Sequence, residues 1–281
     1  MTRIFACAAR LACTLLLFVP TASRADEVPY VQTPQSVVEA MLELAGVRGN
    51  DFLIDLGSGD GRIVITAAQK YGTSGVGIDY DNFLIKESTE KAAQAGVADR
   101  ARFLKEDFFE ADLSAATVVT MYLLPEFNLR LRPKLLAELR AGARVVSHDW
   151  DLGEWAPDAQ LEVPAPEKKV GLRKVSTLYL WIVPAQLAGR WKTRVPVGDG
   201  TMDIGLEFEQ AFQNLGGIAR INGSARPIER AAVKGRYVAF RIDAPGGGAI
   251  RFQGNATSDR IVGEVATPDG RTYPWRALRA K

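Results

Sequence analysis

Apolar positions along this chain follow two rhythms, and the change between them falls near Pro184. Before it, short apolar runs alternate with amphipathic stretches. The pattern predicts strands over residues 51–56, 75–79, 101–105, 116–123 and 143–147, and helices over 62–71, 82–95 and about 126–141. Ahead of them, Val28 to Pro34 forms an extended, proline-punctuated lead-in. Thr33 stands where a side-chain cap belongs, with Pro34 at the first position of a helix. That helix carries Val37, Met41, Leu42 and Leu44 on one face and ends at Gly46. Strand–helix alternation at this spacing implies a parallel sheet with helices on both faces. Strands near 161–163 and 175–183 follow with no long helix between them, so they are expected to close the sheet as an antiparallel pair. After Pro184, Met202, Ile204, Leu206 and Phe208 alternate with Asp203, Gly205, Glu207 and Glu209, a period of two. Val238, Phe240 and Ile242 repeat it, as do Ile250 and Phe252. Asn222-Gly223, Pro245-Gly246-Gly247-Gly248 and Asp269-Gly270 supply turns. The expected fold is therefore α/β, followed by a C-terminal all-β antiparallel region, barrel- or sandwich-like.

Charge sharpens that division. Residues 26–184 hold 17 Lys+Arg against 24 Asp+Glu, and residues 185–281 hold 15 against 9. The acidic first part repels phosphate backbones, which argues against a nucleic-acid partner. The basic second part suits either an anionic surface or scattered solvated arginines, and no run of like charge favours the first. Hydrophobic residues make up 47% and charged residues 24%, which excludes a coiled coil or a disordered chain. At the N-terminus, Arg3 and Arg10 precede an apolar run from Leu11 to Val19. Pro20 breaks the run, and Ser23-Arg24-Ala25 is a small-x-small cleavage site. The run is about half the roughly 20 residues that span a bilayer. Residues 1–25 are thus expected to be a signal peptide sending the chain to the periplasm or medium. A start downstream of Met1 would leave it cytoplasmic. Expected domains are 26–184 and 185–281, with no transmembrane helix in the mature chain; nothing in the pattern specifies an oligomer. Cys7 and Cys13 both lie in the leader, so the mature chain has no disulfide or thiol nucleophile. With His148 the only histidine, a His/Cys zinc site is excluded as well.

The chemistry concentrates at Asp55-Leu56-Gly57-Ser58-Gly59-Asp60-Gly61-Arg62. The strand Phe52-Leu53-Ile54 leads into this glycine-rich turn, which opens a helix, and ligands of open α/β sheets bind at such strand ends. The third glycine follows the second by two residues, whereas the dinucleotide fingerprint needs three. Asp55 also puts a carboxylate where a diphosphate would be repelled. A cationic cofactor, S-adenosylmethionine (AdoMet), suits the residues better than NAD. Asp79 ends the second strand, where a carboxylate accepts both ribose hydroxyls. Asp107 follows the third strand and is expected to accept from the adenine amino group, with Phe108 on the ring face. Singly, an Asp ending a strand is a cap or turn residue; four such features in order point to a cofactor site.

The same residues carry a resemblance. Asp55 to Arg62 looks like motif I of class I AdoMet-dependent methyltransferases, and Gly77-Ile78-Asp79-Tyr80-Asp81 looks like motif II. Pro29-Tyr30-Val31-Gln32-Thr33-Pro34 resembles the Tyr-Val-Pro-x-Thr lead-in of a bacterial group. That group is related to the mitochondrial lysine methyltransferases acting on ATP synthase and on the adenine nucleotide translocase. Tyr122-Leu123-Leu124-Pro125 and Arg144-Val145-Val146-Ser147-His148 are similar to the same group, and the likeness spans about residues 28–183. Gln32 stands where the group usually has proline, and Asp79 where it mostly has glutamate. The resemblance implies a Rossmann-like sheet and AdoMet as cofactor. Asp55, Gly57, Ser58, Gly59, Asp60, Gly61, Asp79, Asp107 and Phe108 are its cofactor residues. It further implies methyl transfer to the lysine amine of a protein substrate. Tyr30, Thr33 and Tyr122 are candidates to line the amine pocket; their ordinary readings are packing, an N-cap and strand core. No DPPY-type tetrapeptide is present, which weighs against a nucleobase substrate. His148 reads as a packed residue at the sheet's end. Gly189-Arg190-Trp191 resembles, over three residues only, the G-x-W start of lipocalin-like barrels, with Trp191 a core anchor.

Two other readings stand beside lysine methylation. One is a small-molecule methyltransferase, which motif I does not separate from a protein methyltransferase. The other is an exported protein that binds a nucleoside or partner without turnover, which the leader favours because AdoMet is made in the cytoplasm.

Overall fold

The computed structural model describes residues 30–171, 173–197 and 200–280. The expected signal peptide over 1–25 lies outside them. The lead-in runs into α1 (Gln35–Leu44), which buries Val37, Val38, Met41 and Leu42. Then come β1 (Phe52–Leu56), α2 (Arg62–Tyr71), β2 (Ser74–Asp79), α3 (Asn82–Gln94), β3 (Ala101–Lys105), β4 (Val118–Met121), α4 (Pro125–Glu138) and β5 (Arg144–His148). β6 (Ala159–Pro164) and β7 (Val175–Ile182) complete a seven-stranded sheet in the order β3-β2-β1-β4-β5-β7-β6. β1 lies at its centre, parallel to β2 and β4, and is buried from Leu53 to Leu56. Burial on both faces is why Phe52, Leu53, Ile54 and Leu56 are apolar without alternation, Asp55 being the polar exception. The order reverses between β1 and β4, which places a ligand crevice beyond the carboxyl end of β1. β7 pairs antiparallel with both β5 and β6, as the missing crossover helix implied.

A second sheet begins with β8 (Gly189–Val197), β9 (Gly200–Ala211), β10 (Asn214–Ile221), β11 (Ser224–Pro227) and β12 (Glu229–Lys234). β13 (Tyr237–Asp243), β14 (Ala249–Ala256), β15 (Arg260–Ala266) and β16 (Thr272–Arg279) finish it. Neighbouring strands are antiparallel, and β16 pairs with β8 while β9 pairs with β10, so the sheet closes on itself. The result is an eight-stranded barrel with β11 attached as an extra hairpin strand, and not a sandwich. Its interior is filled: Phe240 stacks on Phe252 at 4.6 Å, and Trp275 meets Phe252 edge-on at 5.0 Å. Trp191 is buried, donates from Nε1 to Leu187 O at 2.8 Å and lies under the Arg279 guanidinium at 4.4 Å. The barrel meets the first sheet through Phe212, stacked on Trp155 at 6.2 Å, and through Gln213, whose side-chain amide donates to Ala156 O at 2.8 Å. No helix among the described residues is long and apolar enough to cross a membrane.

Candidate active site

The turn after β1 is built by backbone strain that glycine avoids. Gly57, Gly59 and Gly61 have φ of 71°, 53° and 80°. Gly57 and Ser58 amides both donate to Ile78 O, at 2.9 and 3.0 Å, which ties the turn to β2. A Cβ at Gly57 would lie 2.7 Å from Leu123 Cδ2, and one at Gly59 would lie 2.4 Å from the Tyr30 ring. The turn is thus a cradle roofed by the lead-in and by the segment after β4. Two carboxylates face it. The Gly59 amide donates to Asp79 Oδ2 at 2.8 Å and the Asp81 amide to Oδ1 at 3.0 Å. A carboxylate has about four lone-pair positions, so Asp79 keeps capacity for a ligand. Asp55 is 2% exposed and accepts from the Thr120 hydroxyl at 2.7 Å. Burial pushes its carboxyl up to about 7, with nearby Asp79 and Asp60 adding to burial and Thr120 opposing it. Ser58 Oγ is buried with no partner among the described residues, an orphaned hydroxyl within the cradle. Carboxylates, a glycine cradle and an orphaned hydroxyl fit AdoMet, a cationic nucleoside with its own polar tail.

Three further residues expected at the cofactor make contacts within the protein. Asp60 is the hub of an ion cluster: Arg62 Nε donates to Oδ1 at 2.8 Å, Arg62 Nη2 to Oδ2 at 2.7 Å, and Lys91 Nζ to Oδ2 at 2.9 Å. Burial raises the Asp60 carboxyl, but these cations outweigh it and hold it at about 2. Its oxygens staple the turn to α3. Asp107 accepts from the Phe109 amide at 2.8 Å and shapes the loop after β3. Phe108 packs into the core against Phe109 and Phe127, with centroids at 4.7 and 6.2 Å.

Two of the candidate pocket residues, Thr33 and Tyr122, meet at His148 on one rim, while Tyr30 lies over Gly59. Thr33 is not a helix cap: Pro34 occupies the N-cap position, with no side-chain cap bond. Proline there fixes the entry angle, and Thr33 Oγ1 reaches His148 Nδ1 at 3.3 Å instead. Arg62 Nη1 donates to Thr33 O at 2.7 Å, which binds the lead-in to α2. The Tyr122 ring stacks on His148 at 3.8 Å, and the Tyr122 hydroxyl donates to Asp149 Oδ2 at 3.3 Å. His148 is fully buried between Thr33 and Ser176, whose Oγ lies 2.7 Å from Nε2. Burial lowers its pKa to about 4, Lys168 adding to the shift and Asp149 opposing it, so the ring is neutral at physiological pH. His148 is therefore the packed residue that its place in the chain suggested. Asp149 and Lys168, joined at 2.6 Å, belong to the same rim. Sequence reasoning assigned neither a role; an acid directly after a strand-ending histidine was the available signal.

Similarity to known proteins agrees with this geometry. Residues 55–159 match the model of the ANTKMT methyltransferase domain. A protein-lysine N-methyltransferase of Saccharolobus islandicus is 42% identical over 162 residues, 57% of this chain and 97% of that one. A human lysine N-methyltransferase named for ATP synthase is 34% identical over 141 residues, and the match spans 50% of this chain and 60% of that one. A solved structure described as an RNA methyltransferase from Salinibacter ruber, in complex with S-adenosyl-L-homocysteine, is 50% identical with a TM-score of 0.52. It covers 56% of this chain and 96% of that one. The chain belongs to the ANTKMT family of AdoMet-dependent methyltransferases.

Proposed function

We propose that this enzyme methylates the side-chain amine of lysine in a protein. The observation that carries the reading is the rim itself: the Tyr122 hydroxyl and Asp149 carboxylate stand together beside the glycine cradle, joined at 3.3 Å. Polar oxygens there suit a donor-rich amine. The match to nearly the full length of the Saccharolobus islandicus protein-lysine N-methyltransferase supports it. Bound AdoMet supplies an electrophilic methyl on a sulfonium centre. The chain's own residues bind, orient and exclude water. Asp79 would hold the ribose, Gly57 and Gly59 would admit close approach of the cofactor, and Asp55 would supply a carboxylate for its positive charge. Tyr30 and Leu123 roof the cradle, while Thr33 and neutral His148 fix the floor beneath Tyr122. An amine attacks only when unprotonated, and a neutral floor adds no charge that would hold it as ammonium.

A second reading, RNA methylation, takes support from the description of the Salinibacter protein. The excess of acids over bases in residues 26–184 disfavours it. Incubation of the purified chain with tritiated AdoMet and a cell lysate separates the two. Label is expected in protein and to survive ribonuclease, with methylated lysine found on hydrolysis. Label confined to RNA would sink the lysine reading.

A further inference from the structure

Among the described residues of the first sheet, Asp149 is the one non-glycine residue with positive φ, at 64°. The other three are Phe212, Asn222 and Arg230, which lie between or within barrel strands. Phe212 and Asn222 sit in hairpin turns and Arg230 in the register shift of β12, so local geometry accounts for them. Asp149 sits at the carboxyl edge of β5, and a strained residue at a ligand crevice points to function. Beside neutral His148, whose Nε2 lies 3.6 Å from Oδ2, two contacts hold the Asp149 carboxylate still. The Thr177 amide donates to Oδ1 at 3.1 Å, and Lys168 Nζ donates to Oδ2 at 2.6 Å. The Lys168 side chain is 9% exposed and also donates to Val175 O at 2.9 Å. A nearly buried ammonium without a partner is costly, so the pair locks the loop before β7 onto the end of β5.

The consequence falls on Tyr122. A phenol has one proton and two lone pairs. Its proton is committed to Asp149, and burial, reinforced by the Asp149 charge, holds the phenol well above its usual pKa. The hydroxyl therefore presents only acceptor lone pairs to the crevice. We infer that Asp149, locked by Lys168, is a positioning residue that makes the Tyr122 hydroxyl an obligate acceptor for the substrate amine's N–H. An accepted N–H turns the nitrogen lone pair away from the phenol and towards the cradle. Lys168 completes the arrangement: an unneutralised carboxylate would favour the ammonium form, which does not attack. This inference rests on the lysine reading and names how that site selects its acceptor.

A double-mutant cycle on the full chain tests it. Asp149→Asn offers Tyr122 a donor and reverses the phenol's bond. Its kcat/KM for the labelled protein is expected to fall about 10- to 100-fold, with AdoMet affinity by calorimetry unchanged within about twofold. Tyr122→Phe is expected to lose the same factor, and the double variant no more than either single one. Multiplying losses, or full activity in either single variant, overturns the inference. Should Asn at 149 unfold the rim, Tyr122→Phe carries the test alone, since it removes one oxygen and keeps the stack on His148. A wild-type chain that labels no protein overturns the lysine reading and this inference together. Protein labelling with an uncoupled cycle overturns the inference only.

Discussion

Asp55 is the most informative single residue, because burial and function pull its proton in opposite directions. Its folded pKa of about 7 lies above the unfolded carboxylate value, so the folded state keeps a proton that the unfolded chain releases. Stability from this group is full below about pH 4 and is lost as pH rises to about 7, by at most roughly 4 kcal/mol. His148 runs the other way: its depressed pKa costs stability as pH falls from about 6.5 to about 4. The difference between wild type and Asp55→Asn isolates the first effect. Asp55→Asn is expected to melt higher than wild type at pH 8 and to converge with it only below about pH 4. AdoMet affinity of the wild type is expected to climb as pH rises through 7, and that climb should vanish in the variant. A flat wild-type profile in calorimetry would refute the assignment. At this scale the cradle was legible, because three glycines and an acid close together in sequence act locally. Asp149 was not, because its meaning depends on Tyr122, Lys168 and Thr177 meeting across the fold. The ion cluster of Asp60 was hidden for the same reason: Lys91, on the next helix, reaches it.

Elements were read well where one period persists. β3 and α2 fall on their expected spans, and the other strands and helices of the first sheet shift by a few residues at their ends. Thr33 shows the limit, since a threonine before proline carries the same local signal whether it caps a helix or serves a distant histidine. In the barrel, β10 contains Gly216 and Gly217 and β12 shifts register between Glu229 and Ala232, so neither keeps a clean alternation. Within the turn that opens α2, two glycines make opposite predictions. A Cβ at Gly61 would strike the Phe103 ring of β3 at 2.5 Å and Ser88 Cβ of α3 at 2.8 Å. Gly61→Ala is therefore expected to cost about 2–4 kcal/mol in denaturant unfolding. A Cβ at Gly59 meets only the Tyr30 ring, which is 46% exposed and free to swing away. Gly59→Ala is expected to cost about 1 kcal/mol yet weaken AdoMet binding at least tenfold, because it lifts the roof of the cradle. Equal melting temperatures for the two variants would contradict the packing argument.

Across the whole molecule, the two sheets differ in what they can report. The barrel's interior is packed with aromatic rings, so burial contributes strongly to its stability. Trp275→Ala is expected to lose about 3–5 kcal/mol in the barrel while leaving AdoMet affinity unchanged. Loss of cofactor binding at temperatures where the barrel stays folded would reveal a dependence that Trp155 and Phe212 alone do not explain. The choice between barrel and sandwich was illegible for a physical reason: alternation marks a strand's inner face and not its neighbour. Closure depends on β16 returning to β8, where Arg279 donates to Ala188 O, 91 residues away in sequence. That return sets the order of events during synthesis. The first sheet pairs its strands through short crossovers and can assemble as it leaves the ribosome. The barrel has high contact order, and β8 stays an open edge until the final strand emerges. Closure of the barrel is thus the late step of folding, and the interval before it is when this chain is most exposed to pairing with another.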